Sequence, residues 1–272
     1  MKQEQLQTKN GSWDISANFT TLDPIVESLA KGVEFIQLGG FTTPGTRLYA
    51  GQPYGLLFGS VFNRASDGKK LIGANGLTSL SPLQGAIGNT NPDWTAGITN
   101  NIKYKNFNFN FLIDIRKGGD VYSRNIGDLY RSGAAKETAE YNRFTENGVV
   151  AKPYIIDGTL ANGQPNTTPV SAQDYWSNIY NFGTGESYVF DGSWLRLREA
   201  SISYNLPSKL LAKTPIGKME LGVNGRNLWL YAPNFPHFDP ETNATGVTNS
   251  QGFEANGLPQ TRNYGFFLRA TF

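Results

Sequence analysis

Between Phe107 and Arg116 the sequence FNFNFLIDIR alternates without a break. Phe107, Phe109, Phe111, Ile113 and Ile115 fall on one side, and Asn108, Asn110, Leu112, Asp114 and Arg116 fall on the other. A period of two is the mark of a strand with one face out of water, and a helix cannot keep such a pattern on one face. The run is about as long as the 9–11 residues of a tilted strand that crosses a bilayer. Just upstream, Trp94, Ala96, Ile98, Asn100, Ile102 and Tyr104 alternate with Thr95, Gly97, Thr99, Asn101 and Lys103. The short polar link at Lys105–Asn106 predicts a tight hairpin between the two runs.

Further strand signals lie at 12–22, 33–38, 46–50, 54–62, 194–206 and 218–231. The chain finishes on another, TRNYGFFLRATF, with Tyr264, Phe266, Leu268, Ala270 and Phe272 in one row. Pro207 stops the strand at 194–206, because it has no N–H to give a ladder. Between the strands run three polar stretches, 63–92, 124–187 and 232–261, the second holding a short helix near SAQDYWSNIYNFG. Loops of roughly 30 to 60 residues are abnormal in a compact domain, where connections usually run about 4–6 residues.

Composition supports an all-β reading. Aromatics reach 13%, charged residues only 17%, and there are 31 glycines; aromatics favour pleated strands and glycine supplies turns. A net charge of +2 with no long basic run gives no footprint for nucleic acid. Without cysteine there are no disulfides or thiolate sites, and a single histidine, His237, removes most imidazole-based catalysis. No stretch approaches the ~20 apolar residues of a membrane helix, and the opening MKQEQLQTKNGSWD has no apolar core of a signal peptide. A mean hydropathy of -0.39 looks soluble, but a barrel hides its apolar content in alternate positions. Two architectures fit. One is an antiparallel transmembrane β-barrel segment with short turns at one end and long extracellular loops at the other. The other is a secreted β-sandwich or jelly roll, which would bury the row Phe107–Ile115 between two sheets.

Chemistry is sparse in the sequence. FDPETN offers Asp239, Glu241 and Asn243 as oxygen ligands for a hard cation, or as a turn set by Pro240. RKGGD (116–120) lacks the helix of a phosphate cradle and reads as a turn. LRLRE puts Arg196 and Arg198 on one face of its strand and Glu199 on the other, a charged wall able to guide anionic solutes. Tyr175, Trp176, Tyr180 and Phe182 gather in one long loop. They either stack on sugar rings and partner proteins or pack on one another. No glycosidase spacing of carboxylates, nucleophile elbow or zinc-protease helix occurs, so no catalytic residue, cofactor site or metal site is expected.

Several stretches in order resemble the C-terminal part of the SusC/RagA class of TonB-dependent outer-membrane transporters. They are IGNTNPDWTAGITNNIKYKNFNFNFLIDIRKGGDVYS, DGSWLRLREASISYNLP, VNGRNLWLY, FDPETN and GLPQTRNYGFFLRATF, within residues 50–272. The resemblance implies a glycan or peptide importer of the bacterial outer membrane. It also implies a SusD-like surface lipoprotein as partner and energy from TonB through N-terminal parts that this sequence does not show. Phe107, Phe109, Phe111, Tyr264, Phe266, Leu268 and Phe272 would then face lipid, and Tyr175, Trp176, Tyr180, Arg196 and Arg198 would meet ligand or partner. A whole barrel of this kind needs about 22 strands, against about eight or nine strand signals counted here, so residues 1–272 read as the C-terminal section without plug or signal peptide. The calcium-binding loop of many relatives is not carried over, because NRASDGKKLIGANGLTSL lacks the carboxylate spacing. The second reading is a secreted carbohydrate-binding or adhesion module.

Overall fold

The structure, a computed structural model, describes residues 2–139, 145–146, 149–150, 154–181, 184–246, 248–258 and 260–272. Phe182 of the aromatic loop lies outside them.

Seven strands build one antiparallel sheet: β1 (Lys2–Thr8), β2 (Gly11–Thr20), β3 (Pro92–Tyr104), β4 (Phe107–Gly118), β5 (Trp194–Asn205), β6 (Lys218–Tyr231) and β7 (Asn263–Thr271), side by side in that order. The hairpin at Lys105–Asn106 forms as the sequence predicts. Tyr104 pairs with Phe107, and Lys105 takes a positive φ of 52° to turn the chain. Register keeps the faces pure across the sheet. Ile102 sits opposite Phe109, Phe109 opposite Ile202, and Val223 opposite Phe266. One face is therefore largely apolar from β2 to β7, interrupted by Asn100, and the other carries Asn, Ser, Thr and charge with Leu112, Trp194 and Phe267 among them.

One irregularity re-aims a side chain. Leu197 pairs with Ile113 and Glu199 with the next residue, Leu112, so Arg198 is an extra residue in a β-bulge. Toward β6 the irregularity is reversed: Leu197 faces Trp229 and Glu199 faces Arg226, so Asn227, at φ 51°, and Leu228 stand against Arg198 alone. The simple alternation that put Glu199 opposite to Arg196 fails here. The bulge swings Glu199 onto the polar face, where it meets Arg226 at 3.1 Å.

The long connections at the other end fold into a head. It holds a four-stranded sheet (Ile36–Gly40, Gly45–Leu48, Leu56–Phe62, Leu80–Asn89) and a three-stranded one (Asp120–Ser123, Val189–Asp191, Phe253–Glu254). Two helices join them, α1 (Arg124–Arg131) and α2 (Ala172–Ile179). Each starts on a serine that accepts a backbone N–H, Ser123 from Ile126 and Ser171 from Asp174. Among the described residues, the buried apolar clusters lie in the head. Phe62, Ile72, Tyr154, Ile156, Val170 and Ile179 make one; Val121, Ile126, Tyr130 and Phe235 a second; Leu57, Tyr122, Tyr188 and Phe253 a third. At Gly127 the Tyr188 ring lies where a Cβ would project, so only glycine lets α1 pack there.

The expected barrel does not hold. No sheet closes among the described residues: β1 pairs only with β2 and β7 only with β6, leaving both edges of the seven-stranded sheet open. The strands at 36–40, 45–48 and 56–62, which the sequence adds to the same wall, pair instead with each other and with 80–89. That fourth strand lies inside a stretch that reads as loop, because Leu80–Asn89 shows no clean alternation. The sequence reading as the C-terminal section of a SusC/RagA-type transmembrane barrel is thus corrected to an open platform carrying a packed head.

Candidate functional site

The head meets the polar face of the platform in a seam of arginines and carboxylates. Arg196 on β5 is buried there. Its Nη2 donates to both oxygens of Asp239 at 2.6 and 2.8 Å and lies 3.3 Å from Glu241. Arg198, aimed by the bulge, donates to Asp114 at 2.8 Å and to both oxygens of Glu241 at 2.7 and 2.8 Å. These bonds hold the Arg198 guanidinium above the usual arginine value against the pull of burial. Burial pushes the Glu241 carboxyl up, but the Arg198 hydrogen bonds and the charges of Arg198 and Arg196 outweigh it, leaving Glu241 below the ordinary carboxylate range.

FDPETN is therefore a clasp. Its carboxylates take the two β5 arginines, and the Glu241 N–H donates to Asp239 Oδ1 at 3.0 Å in the turn that Pro240 starts. His237 beside it sits 3.2 Å from Glu137 and edge-on to Tyr130.

A third arginine is held differently. Arg116 on β4 donates through Nε to the Gly118 carbonyl at 3.2 Å and through Nη2 to the Thr90 carbonyl at 2.9 Å. The two glycines of RKGGD follow it at φ 75° and 84°, and a Cβ on Gly119 would run into the Arg116 guanidinium. Burial pulls this guanidinium below the usual arginine value, and the more distant charges of Glu241 and Asp191 offset that only in part.

Below the seam the polar face forms a groove of about 510 Å³. Asn108 and Asn110 donate to Ser203 and Ser201 at 3.3 Å, Ser203 donates to Glu220 at 2.6 Å, and Glu220 meets Arg269 at 3.4 Å. The ring of Phe267 lies in the space left by Gly222, with the Arg269 guanidinium over it at 5.1 Å. Amides, hydroxyls, ion pairs and one ring together form a surface suited to polar, neutral ligands.

The aromatic loop packs largely on itself. Tyr175 stacks on Tyr154 at 4.0 Å and Trp176 on Tyr130 at 4.9 Å, and the Trp176 indole N–H donates to the Tyr154 hydroxyl at 2.9 Å. Tyr180 lies 5.0 Å from Tyr130, and burial raises its phenol well above the usual value. Trp176 keeps one edge on a hollow of about 280 Å³ shared with Gln173 and Thr138. The structure thus brings Arg196 and Arg198 together and separates them from Tyr175, Trp176 and Tyr180. Phe107, Phe109, Tyr264, Phe266 and Leu268 stand exposed on the apolar face and Phe272 at the chain end; Phe111 is half-buried in the middle of that face. Neither the Arg116 setting nor Asp114 as partner to Arg198 was legible in the sequence, because Arg116 is held by Thr90, 26 residues away, and Arg198 lies 84 residues from Asp114.

No protein-family model matches the chain. It is 28% identical over 195 residues to TonB-dependent receptor P3 of Formosa agariphila, a match that covers 68% of this chain and 17% of that relative. To TonB-dependent receptor P26 of the same organism it is 24% identical over 292 residues, covering 98% and 28%. Among solved structures, the RagAB peptide importer aligns with TM-score 0.64 in its open-open state and 0.65 in its closed-closed state. Identities are 18% and 17%, with 99% of this chain and 28% of that chain covered in each. The chain spans less than a third of the length of each of these relatives. The relationship to TonB-dependent receptors is distant, the likeness to the solved structures is one of fold, and the sheet here remains open.

Proposed function

We propose that this chain is an outer-membrane-associated binding module that meets an oligosaccharide or a peptide on its polar face, without turning it over, beside a SusD-like surface lipoprotein. The observation that carries this reading is the groove under the seam. It is wide enough for a ligand of several rings, and its Asn, Ser, Glu and Arg side chains are already ordered by one another. Pre-ordered polar groups lower the cost of binding, and Phe267 offers a face for a sugar ring or an apolar side chain. The apolar face behind the groove, with Phe107, Phe109, Phe266 and Leu268, is the surface that lies toward membrane lipid. Relatives named as TonB-dependent receptors support the association with the outer membrane, and the likeness to the RagAB peptide importer supports a partner protein in general and a peptide as one ligand class.

Titration of the isotope-labelled chain with neutral oligosaccharides and short peptides tests the reading. Shifts should map to β4–β7, weaken at least tenfold in Phe267→Ala, and leave the ligand chemically unchanged by mass spectrometry. Absence of any saturable shift with either class, or shifts confined to the head, contradicts it.

A further inference from the structure

The short turns of the platform all lie at one end, opposite to the head. Register places Gly11 beside Tyr104, Tyr104 beside Phe107, Phe107 beside Tyr204, Asn205 beside Glu220 and Lys218 beside Thr271. Neighbouring turns are tied to one another. The Lys105 N–H donates to the Asn10 carbonyl and the Asn205 N–H to the Asn106 carbonyl, both at 2.8 Å. The turns therefore form one fixed edge.

Charge is sorted onto this edge. Lys9, Lys103, Lys105, Lys209, Lys213 and Lys218 stand there, and all six are exposed. None of them belongs to a salt bridge among the described residues. Residues 6–13, 102–109, 203–219 and 269–272, which build the edge, contain no Asp or Glu. Glu220, the next carboxylate along β6, is already engaged by Arg269 at 3.4 Å and by Ser203 at 2.6 Å. The whole chain has a net charge of only +2, so the remainder of the molecule is net acidic.

The lysines border the apolar face. Trp13, Tyr104 and Phe107 stand exposed on that side of the edge. Phe107 packs against Tyr204 at 4.7 Å, and the Lys105 ammonium lies 5.4 Å from the centre of the Tyr104 ring. Trp and Tyr favour the boundary between hydrocarbon and headgroups, because each has an apolar body and a polar tip. Lysines along such a boundary lay their stems on apolar surface and keep the ammonium in water. Unpaired cations in a row beside an aromatic fringe match headgroup phosphates lying over acyl chains. A soluble anion would match the lysines and leave the rings uncovered.

We infer that the short-turn edge is a docking rim for anionic phospholipid, with the six lysines against headgroup phosphates and the aromatic fringe at the acyl boundary. The inference rests on the reading that the apolar face lies toward lipid. It adds the charge of the headgroup and an orientation, with the short turns at the phosphates and the head remote from them.

The test is co-sedimentation of the full chain with two kinds of vesicle, phosphatidylcholine alone and phosphatidylcholine mixed with phosphatidylglycerol. The anionic vesicles should bind at least tenfold more tightly at low salt. That preference should vanish at about 1 M salt, where the screening length falls to about 3 Å. Combining Lys103→Gln, Lys105→Gln, Lys209→Gln and Lys213→Gln should remove the preference while keeping the parent's melting temperature and its affinity for phosphatidylcholine. A polarity-sensitive dye at Asn10→Cys should shift to the blue on anionic vesicles, and one at Leu83→Cys, exposed on the head, should not. Equal affinity for both vesicles, a preference untouched by the four substitutions, release by inorganic phosphate at matched ionic strength, or a blue shift at Leu83→Cys alone would overturn the inference. Failure of the lipid-facing reading itself shows differently, as retention on both vesicles that Phe266→Ser leaves unaltered.

Discussion

In the head, Tyr188 and Phe253 keep 1% of their surface in water; on the platform, Tyr264 and Phe266 keep 75% and 71%. The two regions use the same residue types and treat them in opposite ways. The head closes on itself because segments distant in the chain cross over one another. Phe253 packs edge-on against Phe41 and Tyr122, and Tyr122 lies against Tyr188. The platform is a single layer, and the layer it does acquire settles on its polar side, drawn there by Asp239 and Glu241. Aromatic content alone therefore does not make a core; a second apolar layer does. What remains on the platform is an apolar face far larger than isolated exposed residues, of the sort that marks an interaction surface.

Substitutions on each side should break along this line. The largest loss belongs to the head. Phe253→Ala should cost about 3–5 kcal/mol, read as a drop in the denaturant midpoint, with the near-ultraviolet aromatic signal reduced. Next comes the seam. Asp239→Asn leaves Arg196 buried with only Glu241 at 3.3 Å, and should cost about 3 kcal/mol, the low end for a broken buried pair. A comparable stability in both variants and the parent would mean that head and platform do not share one cooperative unit.

Glu254 gives a smaller effect whose presence depends on pH. Burial raises its carboxyl above the ordinary range, and hydrogen bonds from Ser123 and Asn125 pull it back only in part. A carboxyl raised on folding holds its proton more tightly in the folded state. Its contribution is complete below the unfolded value of about 4.3 and is lost as pH rises through the folded value. Glu254→Gln should therefore match the parent near pH 4 and exceed it in melting temperature at pH 8; a lower value at pH 8 would show that the charge is needed. The smallest change is expected on the platform. Phe266→Ser should alter stability by about 0.5 kcal/mol, as at a typical exposed site, yet reduce retention on outer-membrane lipid vesicles. Unaltered retention would detach the apolar face from lipid.

Much of the platform was legible in the sequence because period two is a local signal. The rows Phe107–Ile115 and Tyr264–Ala270 were read off residue by residue, and the Lys105–Asn106 turn fell where it was expected. Closure was not legible. Alternation states which way side chains point, never which strand lies next, so 36–40, 45–48 and 56–62 looked like staves of the same wall. The bulge at Arg198 escaped for a related reason. It arises from the pairing of β5 with both neighbours, and one inserted residue reverses Glu199 without altering the letters. The site followed the same rule. Arg196 and Arg198 stood out beside each other, whereas Arg116 and Trp194 become neighbours only once β4 and β5 pair.

The distance between the two edges of the platform tests the account most directly. The chain has no cysteine, so spin labels at Leu6→Cys on β1 and Leu268→Cys on β7 report on one pair alone. Six inter-strand gaps at about 4.8 Å separate those edges by about 29 Å along the sheet, somewhat less with curvature. An open platform predicts a pulsed dipolar distance of roughly 20–30 Å, whereas a distribution centred below about 12 Å would mean that β1 and β7 meet and the sheet is closed.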